Sequence, residues 1–221
     1  MALVDDAGVS AIIRAPMNDS LSGSMNDSMN DSISDKVASC IRTRRTVKDY
    51  TGEAVPRALL ERWLDLACWA PTHRLTQPWR FAVLEQPALM RLAEFLRGEP
   101  AIAAVPDPAK GAVKIAKLLD RLPTLGAMIQ VTWMRDTNPV IDLEDHAAAS
   151  AAVQNLLLAI HADGWAGFWS TNPALGHAKT LAWCGCDPAT QGFLGSVWLG
   201  RASHDTPPPP RVALPQRVTW L

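Results

Sequence analysis

Tyrosine and phenylalanine are scarce in this chain: one and four in 221 residues, against nine tryptophans. Cysteine is also sparse. Cys40, Cys68, Cys184 and Cys186 form no Cys-x-x-Cys pair and have no histidine at metal-ligand spacing, which excludes the common zinc modules and the thioredoxin-type motif. Cys184-Gly185-Cys186 reads as a pair of reduced thiols, as expected of a cytoplasmic protein. Charge of either sign is not in excess. A net charge of −1 leaves no broad basic face, so binding to nucleic acid driven by counterion release is not expected. No apolar run reaches the roughly 18 residues of a membrane span, and the N-terminus lacks the cation-then-apolar pattern of a signal peptide. No membrane partner is expected, and the cytoplasm is the expected compartment.

Several catalytic signatures are missing as well. There is no Walker lysine motif, no His-Glu-x-x-His and no Gly-x-Ser-x-Gly elbow. Gly164-Trp165-Ala166-Gly167 follows an expected helix rather than a strand and lacks a third glycine, so it is not a dinucleotide fingerprint. His146 and His161 fall on one expected helix, fifteen residues and four turns apart, too far to share a metal. Metal chemistry has no ligand set here.

What the chain does have is apolar bulk. Its hydrophobic fraction of 48% is that of a globular protein with a sizeable core, and the length suits one domain. Residues 1–34 stand apart: Met17-Asn18-Asp19-Ser20 recurs as Met25-Asn26-Asp27-Ser28 and Met29-Asn30-Asp31-Ser32. Such a polar repeat buries too little surface to offset its ordering entropy, so these residues are expected to be a disordered extension. Docking through the apolar stretch Val9 to Ile13 is the alternative.

From Ser34 the pattern changes to interleaved helices and strands. Ser34-Asp35 is expected to cap a helix running to about Arg42. Pro56 opens a second, with Leu59, Leu60, Trp63, Leu64 and Ala67 on one side; it must end before Pro71. Strands are expected from Trp79 to Leu84, from Ala127 to Met134 by its period of two, and from Gly192 to Leu199; Trp165 to Thr171 reads as a short loop or strand. Helices are expected over Pro87–Phe95, Ala109–Leu122 and Pro173–Ala182. A long, nearly all-apolar helix is expected from Leu143 to Asp163, capped by Asp142 and stopped at Gly164. This mixture lacks the regular alternation of a doubly wound parallel sheet, so the fold class is α+β. Pro207 to Pro210 impose a stiff, extended tail.

Two segments carry the chemistry. Arg44-Arg45-Thr46-Val47-Lys48-Asp49-Tyr50 places three cations and a hydroxyl within five residues just past a helix, a plausible cradle for phosphate. Ala70-Pro71-Thr72-His73-Arg74-Leu75-Thr76-Gln77-Pro78-Trp79 is a turn running into a strand. Together they resemble the nitroreductase family of flavoenzymes, with its Arg-Arg-Ser-x-Arg/Lys-x-Phe/Tyr opening and Ala-Pro-Ser/Asp…Gln-Pro-Trp loop. The match is closest to the short single-domain branch and covers about residues 38 to 205.

The resemblance implies a three-layer fold, with a central, mostly antiparallel sheet flanked by helices and a C-terminal arm extending to a partner subunit. It also implies bound FMN, NADH or NADPH as co-substrate, and a homodimer with shared sites. Arg44, Arg45, Thr46 and Lys48 match the family's phosphate- and pyrimidine-binding positions. Pro71, Thr72, His73 and Leu75 match loop positions that touch the flavin of the other subunit. Trp169, Ser170 and Thr171 match the segment lining the ring, and Arg211 offers a further phosphate contact. Thr72 and Leu75 depart from the family's usual Ser/Asp and Asn, and Trp69 stands where the closest branch has Arg.

The implied reaction is a ping-pong transfer of hydride from NAD(P)H through flavin N5 to an electron-poor acceptor such as a nitroaromatic or quinone. No side chain need act as a covalent or acid–base catalyst. Two alternatives stay open: a non-catalytic flavin-binding or sensing protein, and a family relative acting on a small aldehyde or on flavin itself.

Overall fold

A computed structural model describes residues 33–99, 102 and 108–221. The polar repeat that set residues 1–34 apart lies, up to residue 32, outside the described residues. The chain divides into two units between Ser39 and Cys40, and the second, Cys40–Leu221, is compact. Residues 33–43 are helical, so Ser34 and Asp35 already lie within the helix they were expected to cap.

The second unit is built on a four-stranded sheet. Its strands are β1 (Trp79–Glu85), β2 (Ala127–Met134), β3 (Ala166–Ser170) and β4 (Gln191–Gly200), in the order β1-β2-β4-β3 with every neighbouring pair antiparallel. The helices are α1 (Arg57–Ala67), α2 (Gln86–Arg97), α3 (Pro108–Arg121), α4 (Pro139–Ala162) and α5 (Ala178–Trp183). They form two layers. One core joins α1 and α4 to the sheet through Leu60, Trp63, Ala152, Val153, Leu156 and Val197; the other joins α2 and α3 through Leu89, Leu92, Leu118, Met128 and Trp198. The fold is α+β, as the element pattern required.

The strand expected from its alternation, β2, has an interior position in the sheet. Ala127, Ile129 and Val131 face α1 and α4, while Met128 faces α2 and α3, so both sides are buried. Gln130 and Thr132 are fully buried too, and each is bonded: Gln130 Nε2 donates to the Leu175 carbonyl at 2.6 Å, and Thr132 Oγ1 to Gln191 Oε1 at 2.6 Å. A bulge in the β2–β4 pairing passes over Leu194, beside Gly195 at φ +147°. A Cβ there would overlap Trp169 Nε1.

Two further helix boundaries differ from expectation. The cap of α4 is Asn138, whose side chain accepts from the Val140 amide, with Pro139 at the first position. Asp142 instead accepts from Arg135 Nε at 2.8 Å and Trp133 Nε1 at 3.0 Å. That ion pair and those bonds hold its carboxyl below the usual carboxylate range. The helix expected over Pro173–Ala182 shortens to Ala178–Trp183, preceded by turns.

The apolar character of α4 has a second consequence. Asp145, Ala149, Val153, Leu156 and Ile160 are buried, but Leu143 is 69% exposed and Ala147 is also exposed. The outer face of the longest helix is therefore apolar and uncovered within one chain.

Candidate functional site

The segment after the first helical residues is fixed at three points. Arg44 N donates to the Cys40 carbonyl at 3.1 Å, closing the helix. Thr46 then forms a parallel bridge with Gly167 of β3. Tyr50, 5% exposed, anchors the far end: its hydroxyl donates to the Val47 and Trp198 carbonyls at 2.6 and 3.1 Å. The stretch from Arg44 to Lys48 is thus laid along the outer edge of β3.

Its cations open onto two cavities at successive positions of that strand. The first, about 340 Å³, is lined by Arg44, Arg45, His161, Trp165, Gly167 and Asp205. Burial, with Arg211 and Arg45 next in weight, pulls the Arg44 guanidinium below the ordinary arginine value. Burial, Arg44 and Arg45 likewise push His161 below its usual 6.5. Arg211, beyond the prolines, does not line this cavity but lies near enough for its charge to act on Arg44. Arg45 Nη1 donates to the Arg42 and Arg44 carbonyls at 2.7 and 2.9 Å. Among the described residues, no carboxylate forms an ion pair with Arg44, Arg45 or Arg211. Like charges held together without a counterion favour a ligand of the opposite sign.

The second cavity, about 380 Å³, is lined by Lys48, Phe168, Ser170, Thr171, Pro173 and Trp198. Lys48 Nζ sits 5.0 Å from the centroid of the Phe168 ring. Phe168 meets Trp198 edge to face at 5.2 Å. Trp198 Nε1 is buried without a hydrogen-bond partner. Trp169 stands apart from this cavity: it packs against the α1/α4 core, and its Nε1 donates to the Leu194 carbonyl at 3.1 Å. Three cations of α3 also line the second cavity, Lys114, Lys117 and Arg121. Sequence reasoning missed them; their spacing of three and four residues on one helix was the available signal.

The Pro71–Leu75 loop lies elsewhere. Pro71, Thr72 and His73 line a third, open cavity with Glu144, Ala147 and Ala151 of α4. His73 Nδ1 lies 2.7 Å from Glu144 Oε2, and Thr76 Oγ1 donates to Asp145 Oδ1 at 2.6 Å. Thr72 Oγ1 accepts from the Gln77 amide at 3.2 Å. Arg74, Leu75 and Gln77 all have positive φ, at 53°, 56° and 45°. Such backbone is uncommon for residues with side chains and marks a tightly constrained loop. Leu75 is 77% exposed. Within one chain the loop does not join the other predicted residues.

The family model described as Nitroreductase family matches residues 41–201. A Bacillus subtilis protein provisionally named NAD(P)H nitroreductase YfhC is 28% identical over 135 residues, 61% of this chain and 69% of that protein. Among solved structures, a nitroreductase-like family protein from Bacillus cereus superposes with a TM-score of 0.73 at 23% identity, covering 84% of this chain and 95% of that one. A provisionally named nitroreductase from Desulfovibrio desulfuricans, crystallised with FMN, has a TM-score of 0.66 at 26% identity over 84% and 96% of the two chains.

Proposed function

The chain belongs to the nitroreductase family, and we propose that it binds FMN and transfers hydride from NADH or NADPH to an electron-poor small molecule. The observation that carries this reading is the cation cluster of Arg44, Arg45 and Arg211, which has no carboxylate pairing among the described residues and lies beside the β3 edge. A terminal phosphate fits that cluster in charge and in donor chemistry, since a guanidinium offers several N–H donors in one plane.

Each group of residues then has a task. Arg44, Arg45 and Arg211 hold the phosphate, with Thr46 on the same bridge as a hydroxyl donor. Lys48 places positive charge at the pyrimidine edge, where negative charge develops on reduction. Ser170 and Thr171 line the ring pocket. FMN bound there would supply the hydride-accepting centre at N5, chemistry that no side chain of this protein offers. Trp169, bonded to the Leu194 carbonyl, braces the strand behind the ring rather than touching it.

The position of Pro71, Thr72, His73 and Leu75 supports a homodimer. Pro71, Thr72 and His73 share a cavity with α4, whose outer face at Leu143, Ala147 and Ala151 is apolar and partly exposed. A second copy packed on that face would bury it and bring each loop to the neighbour's flavin. The C-terminal arm, with Val212, Leu214 and Trp220 exposed at 52%, 67% and 87%, would find its apolar surface there.

An anaerobic titration tests the reading. Purified protein should carry or take up FMN, and its yellow colour should bleach with NADH or NADPH and return with a nitroaromatic or quinone. Initial-rate plots at several acceptor concentrations should give parallel lines, as a ping-pong order requires. Protein that binds FMN but is not bleached by either nucleotide is a flavin carrier or sensor.

A further inference from the structure

The cavity at Lys48 contains more positive charge than a flavin ring needs. Lys114, Lys117 and Arg121 line it from α3, on positions three and four residues apart that share one helix face. Like charges at these spacings disfavour a helix by a few tenths of a kcal/mol per pair, roughly 0.2–0.5. Asp120 is the one acid among these positions of α3, and Asp49 reaches the row's end, its Oδ1 3.9 Å from Arg121 Nη2 in an exposed pair. Lys114 and Lys117 form no ion pair among the described residues. The opposite face of α3 is occupied: Ile115, Leu118 and Leu122 just beyond it are buried in the α2/α3 core. The helix is thus held by its apolar face while its cations point into a cavity that also contains Ser170 and Thr171.

We infer that Lys114 and Lys117, with Arg121, form an anion-binding shelf that recruits a phosphate- or carboxylate-bearing electron partner to the Lys48 cavity. What the shelf is for rests on the flavin reading above; that it binds an anion does not. Two sources share this chemistry, the pyrophosphate of a nicotinamide dinucleotide and the carboxylate of an acidic acceptor. Electrostatic capture by exposed lysines acts over about 10 Å at 0.1 M salt, so the shelf serves first to gather the partner and then to hold its charged end at the α3 side of the cavity.

The test compares the full-length Arg44→Ala protein, in which the phosphate cluster is weakened, with the same protein carrying Lys114→Gln and Lys117→Gln. Calorimetric titration with inorganic pyrophosphate at low salt should show binding to the first and at least tenfold weaker binding to the second. Lys114→Arg with Lys117→Arg should restore it. In an otherwise wild-type background, the glutamine pair should raise KM for NADPH about tenfold if the dinucleotide is the partner, or KM for 4-nitrobenzoate but not nitrobenzene if the acceptor is. Equal pyrophosphate affinity in the two proteins, or no binding to either, overturns the shelf. A colourless protein that still binds pyrophosphate through Lys114 and Lys117 would remove the flavin reading and leave the shelf standing.

Discussion

Thr46 pairs with Gly167 in a parallel bridge, although every strand of the sheet runs antiparallel to its neighbours. This bridge turns a short cationic run into two separate stations. Arg44 and Arg45 fall beside the first cavity and Lys48, three residues past Arg45, beside the second. Gly167 keeps the strand close to α4: a Cβ at that position would lie 2.9 Å from Leu157 Cδ2.

Arg44→Ala should weaken FMN binding without unfolding the apoprotein. Loss of one charge-assisted phosphate contact costs about 1.5–3 kcal/mol, or about ten- to a hundredfold in dissociation constant. Fluorescence titration of apoprotein with FMN measures it, and thermal unfolding without FMN should be unchanged or slightly raised, since a like-charge repulsion is relieved. Unaltered FMN affinity would remove Arg44 from the site.

The shared-site arrangement predicts complementation. A variant altered at Arg44 and another altered at Pro71 and His73 should each be inactive as homodimers. Mixed under conditions of subunit exchange, they should regain activity, because a heterodimer has one site with both an intact cation cluster and an intact loop. Exchange demonstrated by mass spectrometry without recovered activity would place the flavin within single chains.

His161 should make the apoprotein less stable in mild acid. Burial, Arg44 and Arg45 all lower its proton affinity in the folded state relative to its ordinary value of 6.5. The unfolded chain therefore binds more protons below that pH, and stability falls as pH drops through 6.5 toward the folded pKa, then levels off. Above about pH 7 the neutral ring adds no such dependence. Chemical denaturation across pH 5 to 8 should show the slope in the apoprotein, a reduced slope in His161→Gln, and a reduced slope with FMN bound, because a phosphate offsets the neighbouring cations.

Gly195→Ala should be costly for two reasons that act together. The position has φ +147°, which side-chain-bearing residues rarely adopt, and the new methyl would overlap the Trp169 indole. Overpacking of this kind costs about 1–3 kcal/mol. Denaturant unfolding should show that loss, and FMN affinity should fall with it because Trp169 and Ser170 are adjacent on β3.

Much of the scaffold was legible in the residues because local rules decided it. Pro56 and Pro71 bracket α1, Gly164 at φ +74° stops α4, and the strand from Trp79 follows its turn. The cap of α4 was misread because Asp142 and Asn138 are both good caps, and only the approach of Arg135 and Trp133 drew Asp142 away. Likewise, the alternation in β2 could not reveal that helices would cover both sides of it.

The site divides along the same line. The sequence by itself determined the pairing of guanidinium groups at Arg44 and Arg45 and the turn at Pro71 to Leu75, since these are adjacent in the chain and the chemistry is local. Only the tertiary structure decided that Lys114 and Lys117 share a cavity with Lys48, and that the Pro71 loop stands with α4 rather than with the cations. Those groupings unite residues separated by dozens of positions or more, and they depend on how helices pack on a sheet. Side-chain proximity of that kind is a property of packing, which no periodicity along the chain encodes.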